Sequence, residues 1–258
     1  MKNILSKFKI NNYTYLFLII CALCGYIKNI TIIFIICLIH ELGHVFFIKL
    51  FNYKIISVEL FPFGGFTTID KRINTNINKD ILIASGGIIF QLILLLFIYL
   101  LKNSFNIITY NLIINYSFIL ILFNLIPIIP LDGNNIMHLC LEKFFSYHLS
   151  YHLNFIISLI CLIMFLIVNY IYKLDNYFII SFLLYKTIMY IKNYKYLRKR
   201  FLLERYLYDL EYNRIDNHTR NINGLKKEVL HYFKENNKFI KEKERLKDIF
   251  YDDDKQLD

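Results

Sequence analysis

Five consecutive residues, His40-Glu41-Leu42-Gly43-His44, have the types and the spacing to hold a metal and to work beside it. On a helix, residues four apart share a face. His40 and His44 can therefore both reach one ion while Glu41 projects close to a water bound to it. Glu41 stands about eleven residues into an apolar run, roughly 16 Å from its start, which is near the middle of a bilayer. An acid at that depth costs about 2.5–3.5 kcal/mol on insertion scales and is kept mainly where a site needs it. A catalytic zinc takes three protein ligands and leaves one position to water, so the histidine pair needs a third. Asp132 is the first candidate, in the stretch 124–133 (Asn-Leu-Ile-Pro-Ile-Ile-Pro-Leu-Asp-Gly). Two prolines there break a helix, and Gly133 permits a turn back toward the bundle. Asp132 taken alone also reads as a helix cap ahead of Asn134, and Glu204 is the rival third ligand. His148 and His152 repeat the spacing, but Leu149 replaces the glutamate, so an interfacial pair without metal is expected there.

The elements that must position these residues are membrane helices. Of 258 residues, 57% are hydrophobic and only 19% charged, and the mean hydropathy is +0.43, which excludes an ordinary soluble globule and a disordered chain. On a ruler of about twenty residues per crossing, six spans are predicted, at 13–27, 30–50, 81–101, 111–129, 153–172 and 177–191. The 30 Lys and Arg outweigh 20 Asp and Glu by +10, but they cluster at span edges and in the tail. That distribution speaks for both termini in the cytosol and against nucleic-acid binding. Five cysteines, an odd number and mostly in apolar runs, exclude a disulfide framework, and the lone Cys21/Cys24 CxxC reads as packing. The basic start lacks a small-x-small cleavage site and reads as a retained first span. Residues 58–66, aromatic and β-branched around Pro62 and Gly64-Gly65, predict a hairpin at the membrane face. Beyond residue 200, Leu225, Val229, Leu230, Phe233, Ile240, Leu246, Ile249 and Phe250 fall at loosely helical spacing ahead of an acidic end. The expected fold is thus an all-α membrane protein: a six-transmembrane-helix bundle (1–200) with a short membrane-associated β-hairpin and a cytosolic helical tail (201–258).

The two motifs in this order resemble the site-2 protease family, intramembrane zinc metalloproteases with HExxH and NxxPxxPLDG signatures. Residues 60–65 (Leu-Phe-Pro-Phe-Gly-Gly) and 201–206 (Phe-Leu-Leu-Glu-Arg-Tyr) are similar to the family's sporulation branch, and the likeness spans about residues 10–207. The resemblance implies one Zn2+ held by His40, His44 and Asp132, a catalytic Glu41, and an assisting Asn124 that donates to the developing oxyanion. It implies an integral multi-pass protein of a bacterial cell membrane, acting on a membrane-associated regulatory protein such as a sigma-factor precursor or anti-sigma factor. Regulatory membrane proteins are further expected partners. A substrate helix must unwind before hydrolysis, and the hairpin then serves either as an edge to which it adds as a strand or as a plain interfacial anchor.

Two departures from the family pattern stand out. Residues 85–91 (Ser-Gly-Gly-Ile-Ile-Phe-Gln) carry Gly for a usual Pro and Phe near a usual Asn, so close helix packing survives and any polar role passes to Gln91. The branch commonly ends in a nucleotide-sensing CBS domain, whereas residues 205–258 read as charge-rich without strand-helix alternation, and a solvated extension is expected in preference to a partner-docking helical segment. Competing functions are a membrane zinc protease completed by Glu204 and a non-catalytic scaffold, against which the intact Glu41 argues.

Overall fold

Apolar runs become long helices where nothing in them breaks the backbone ladder. The computed structural model describes residues 8–10, 14, 15, 19, 23–61, 64–172, 177–219, 221–235 and 238–254. Among these, four helices are long and apolar enough to cross a membrane: α1 (Ile27–Leu50), α2 (Ile77–Leu100), α3 (Ile107–Leu125) and α5 (Tyr147–Ile171). They match the second to fifth predicted spans, with shifts at their ends. Of the first predicted span, 13–27, residues 13, 16–18 and 20–22 lie outside the described residues. The sixth lies within α6 (Tyr177–Leu207), an unbroken helix of 31 residues.

Local chemistry sets these ends. Asn76 Oδ1 accepts from the Lys79 amide (3.1 Å) and starts α2 four residues before its predicted position. Ser146 does the same for α5, accepting from Leu149 N at 3.3 Å. At the other extreme α3 stops at Leu125, because Ile126 precedes Pro127 and a residue before proline is pushed out of the α region. A short helix that the sequence pattern did not predict, α4 (Asp132–Phe144), follows this break.

The chain forms two compact units, residues 1–71 with 82–126 and residues 72–81 with 127–258. In the first, β1 (Phe8–Ile10) pairs parallel with β2 (Lys54–Phe61), which pairs antiparallel with β3 (Gly64–Asp70). The predicted hairpin is present and gains a third strand. An irregularity between Ile55 and Ser57 resets the side-chain alternation, so that Ile55 and Val58, three apart, both turn inward. They pack with Val45 and Ile48 of α1 and with Ile83. Helix α1 meets α2 where Gly43 faces Gly86: a Cβ on either would fall within 2.7 Å of the other's carbonyl oxygen.

In the second unit the predicted helical tail is overturned. After α6 come β4 (Arg214–Thr219), a 3-10 turn (Ile222–Gly224), β5 (Val229–Glu235), β6 (Lys238–Lys241) and α7 (Glu242–Asp254). β4 and β5 run parallel, β5 and β6 antiparallel. The physical reason is visible in β5, where His231 and Phe233 are buried at a spacing of two, and where Val, Tyr and Phe favour a pleated surface. Phe233 and Leu225 pack on Tyr147 and Phe201, whose rings stack at 4.2 Å. The tail therefore has its own strand-helix alternation and a core shared with α5 and α6, and is not a solvated extension.

Candidate metal centre

His40 and His44 project from one face of α1, with their Nε2 atoms 3.2 Å apart and their rings edge to face. What fixes these rings comes from α2. His40 Nδ1 donates to the side-chain oxygen of Gln91 (3.0 Å), a residue with no solvent exposure, and His44 Nδ1 donates to the backbone carbonyl of Ile83 (2.8 Å). Both acceptors are oxygens, so each neutral imidazole carries its proton on Nδ1 and turns a lone pair outward at Nε2. Two lone pairs facing each other at 3.2 Å repel unless a proton or a metal ion lies between them. Two ligands of a tetrahedral zinc, each about 2.0–2.1 Å from the metal, are separated by about 3.3 Å, so the observed spacing is that of one edge of such a site. The orienting acceptors are those a metal-bound histidine normally carries.

Space for this arrangement depends on a missing side chain. A Cβ at Gly87 would come within 2.4–2.6 Å of three atoms of the His40 ring. Gln91 takes the polar role that the residue pattern leaves to it, and Gly87, beyond the close helix packing expected of it, is the seat of His40.

Glu41 is 6% exposed, and the hairpin reaches it. The Gly65 amide donates to Oε1 (3.1 Å) and the Thr67 hydroxyl to Oε2 (3.4 Å). Gly65 sits so close that a Cβ would lie 2.5 Å from the Glu41 side chain. These two contacts are not legible in the sequence, which offers the hairpin as a strand-adding edge or an interfacial anchor and not as a partner of the acid. Asn124 stands in the last turn of α3, half-buried, in the same unit as His40, Glu41 and His44. Asp132 belongs to the second unit, where it is the first residue of α4 after the cis Ile129-Pro130 bond. The cap position itself is Leu131, so Asp132 is a first-turn acid and its side chain is not the cap.

Glu204 is committed elsewhere. Its Oε2 accepts from the amides of Ile73 (2.7 Å) and Asn74 (3.0 Å) and from Asn74 Nδ2 (3.2 Å), and its Oε1 accepts from Arg200 Nε (3.1 Å). A carboxylate so occupied fixes the loop before α2 and has little left for a metal. The second histidine pair sits in the opening turns of α5, with His148 Nδ1 against the Tyr194 hydroxyl and the two rings 4.6 Å apart.

Comparison with known proteins bears on the family. Residues 28–106, which include α1 and much of α2, match peptidase family M50. Over 144 residues the chain is 28% identical to stage IV sporulation protein FB of Bacillus subtilis, covering 55% of this chain and 50% of that protein. Over 121 residues it is 30% identical to a zinc metalloprotease of Methanocaldococcus jannaschii, covering 45% and 35% respectively. The chain thus spans half or less of the length of these curated relatives. The solved site-2 protease from Methanocaldococcus jannaschii shares the fold, with a TM-score of 0.55 at 22% identity over 70% of this chain and 89% of that one. The HExxH helix thus lies inside the segment that matches peptidase family M50, and the relatives found support the resemblance to that family.

Proposed function

We propose that the protein is an intramembrane zinc metalloendopeptidase that hydrolyses a peptide bond in or near a transmembrane segment of a membrane-associated regulatory protein. The observation that carries this reading is the pair of imidazoles whose Nε2 atoms lie 3.2 Å apart while each Nδ1 bonds an oxygen, of Gln91 or of Ile83. His40, His44 and Asp132 hold the zinc, one per chain. Bound zinc supplies Lewis acidity and a water of lowered pKa. Glu41 takes the proton of the attacking water and passes it to the leaving amine, its carboxylate aimed by the Gly65 amide and the Thr67 hydroxyl. Asn124 donates a hydrogen bond to the developing oxyanion without adding charge inside the membrane. The substrate segment unwinds and adds as a strand beside β3.

In this reading residues 1–200 form the protease domain, with six spans counted by taking 13–27 and 177–191 as the outer pair, and both termini lie in the cytosol of a bacterial cell. Residues 201–258 form the cytosolic tail. The substrate class is that of a sigma-factor precursor or anti-sigma factor, in line with the sporulation protein among the relatives. The test is Glu41→Gln, which keeps the ligands and removes the base. Comparing membrane proteomes of cells carrying either form, an uncleaved precursor accumulates with the variant at equal expression. If no membrane protein changes its processing, the proteolytic reading fails.

A further inference from the structure

Four consecutive residues of the tail each bond the end of a different element or a different group at that end. The Leu225 carbonyl accepts from the Tyr147 amide (2.9 Å) at the start of α5, and Lys226 Nζ donates to the Phe144 carbonyl (3.1 Å) at the end of α4. Lys227 Nζ donates to Glu142 Oε2 (2.7 Å) one half-turn earlier on α4, with both side chains buried. Glu228 Oε1 accepts from the Ile77 amide (2.8 Å) at the start of α2. The segment is itself held from the tail side: Arg205 donates to the Lys226 carbonyl (3.0 Å) and the Val229 carbonyl (2.6 Å), and the Lys226 amide donates to His231 Nε2 (2.9 Å). Glu228 adopts φ +57°, a left-handed conformation that a non-glycine residue rarely takes, and this conformation accompanies the reach of its neighbours to their separate targets.

Helix α4 is the one element that these contacts grip twice. Its other end follows a turn anchored to α5, where the Ile129 amide donates to Ser158 Oγ (2.9 Å). Thirteen residues of helix are thus pinned at both ends, and Asp132 is the first of them. We propose that residues 225–228 are a clasp through which the tail sets the position of α4, making Lys227 and Glu142 positioning residues for the Asp132 carboxylate. This rests on the reading of Asp132 as a metal ligand. Freeing the gripped end removes two of the contacts that fix the rotation of the helix and leaves it the Ile129 anchor and the packing of His138 against Tyr151. A rotation of about 20° around its axis moves a group at a helix radius of about 6 Å by about 2 Å, and a metal site tolerates errors of only about 0.2 Å.

Zinc affinity of the detergent-purified full chain, measured by competition with a chromophoric chelator, tests the clasp without recourse to turnover. Lys227→Met and Glu142→Met, each with helical content unchanged by circular dichroism, bind zinc about 10–100-fold more weakly, the usual effect of losing an outer support. The exchanged pair, Lys227→Glu with Glu142→Lys, recovers affinity to within about threefold of the parent, about 0.65 kcal/mol at 1.4 kcal/mol per decade. If the single variants bind zinc like the parent, or the exchanged pair recovers nothing, the clasp has no positioning role. Asp132→Ala separates the two ideas. Parental affinity in Asp132→Ala overturns the ligand assignment, whereas lost affinity there with intact binding in Lys227→Met overturns the clasp alone.

Discussion

One methyl group at position 87 tests how the histidine pair is held. In Gly87→Ala the new Cβ would stand 2.4 Å from His40 Cε1, 2.5 Å from Nε2 and 2.6 Å from Nδ1, whereas ordinary contact begins near 3.4 Å. The imidazole must retreat by about 1 Å, and because three ring atoms are struck together, a small tilt of the ring does not relieve the clash. A retreat of that size takes Nδ1 from 3.0 Å to about 4 Å from the Gln91 oxygen, beyond hydrogen-bond range, and carries Nε2 off the 3.2 Å edge it shares with His44. Loss of the orienting acceptor alone is worth about 10–100-fold in metal affinity. A ligand atom displaced by about 1 Å is lost outright, against a tolerance of about 0.2 Å. Zinc affinity is therefore expected to fall at least about 100-fold, or about 2.7 kcal/mol. Helix propensity works in the opposite direction, because alanine is better than glycine inside a helix by about 0.5–1 kcal/mol. The assay is chelator competition on the purified chain with a thermal melt in parallel. Gly224→Ala serves as control, since a Cβ there meets only Thr219 Cγ2 at 3.4 Å. Zinc binding by Gly87→Ala within about threefold of the parent would refute the reasoning.

Three further outcomes are expected. Gln91→Leu removes the acceptor that keeps the proton on His40 Nδ1, so the same titration should show zinc binding about 10–100-fold weaker with the helices intact. In the tail, burial, with the Arg205 guanidinium beside it, holds the His231 imidazole below its ordinary value of 6.5, against the opposing pull of Glu242, Asp216 and the Lys226 backbone. The unfolded chain then takes up the proton first, so this stabilisation is complete above about pH 6.5 and is lost as the pH falls below it; melts between pH 7.5 and 5.5 should show the loss, and His231→Gln should flatten it. Arg205 and Glu242 form a buried pair whose other donors and acceptors are also engaged, so Arg205→Met strands a buried carboxylate and should cost about 3–5 kcal/mol in denaturant unfolding. The double variant Arg205→Met with Glu242→Leu should recover most of that.

What could be read in advance was the information carried by neighbouring residues. The histidines four apart, the glutamate between them and the apolar runs around them are local patterns, and the second to fifth runs became the helices they suggested. The tail misled because Val229, Leu230 and Phe233 fit a helical stripe loosely and a strand well. The arbiter was His231, a polar residue with no exposure whose two nitrogens bond Thr219 and the Lys226 amide. No periodicity marks a histidine as buried. The clasp escaped for a related reason: residues 225–228 are an undistinguished mixed-charge run, and their partners lie between 78 and 151 positions away. The metal centre itself divides along this line. HExxH places two imidazoles on one face, but whether they offer lone pairs or protons is decided by an oxygen 51 residues from His40 and another 39 residues from His44. In the proposed site, competence for metal thus belongs to the crossing of α1 and α2 rather than to the motif. The same five letters on a helix without Gln91, the Ile83 carbonyl and the gap at Gly87 would bring two rings together with nothing to make both of them ligands.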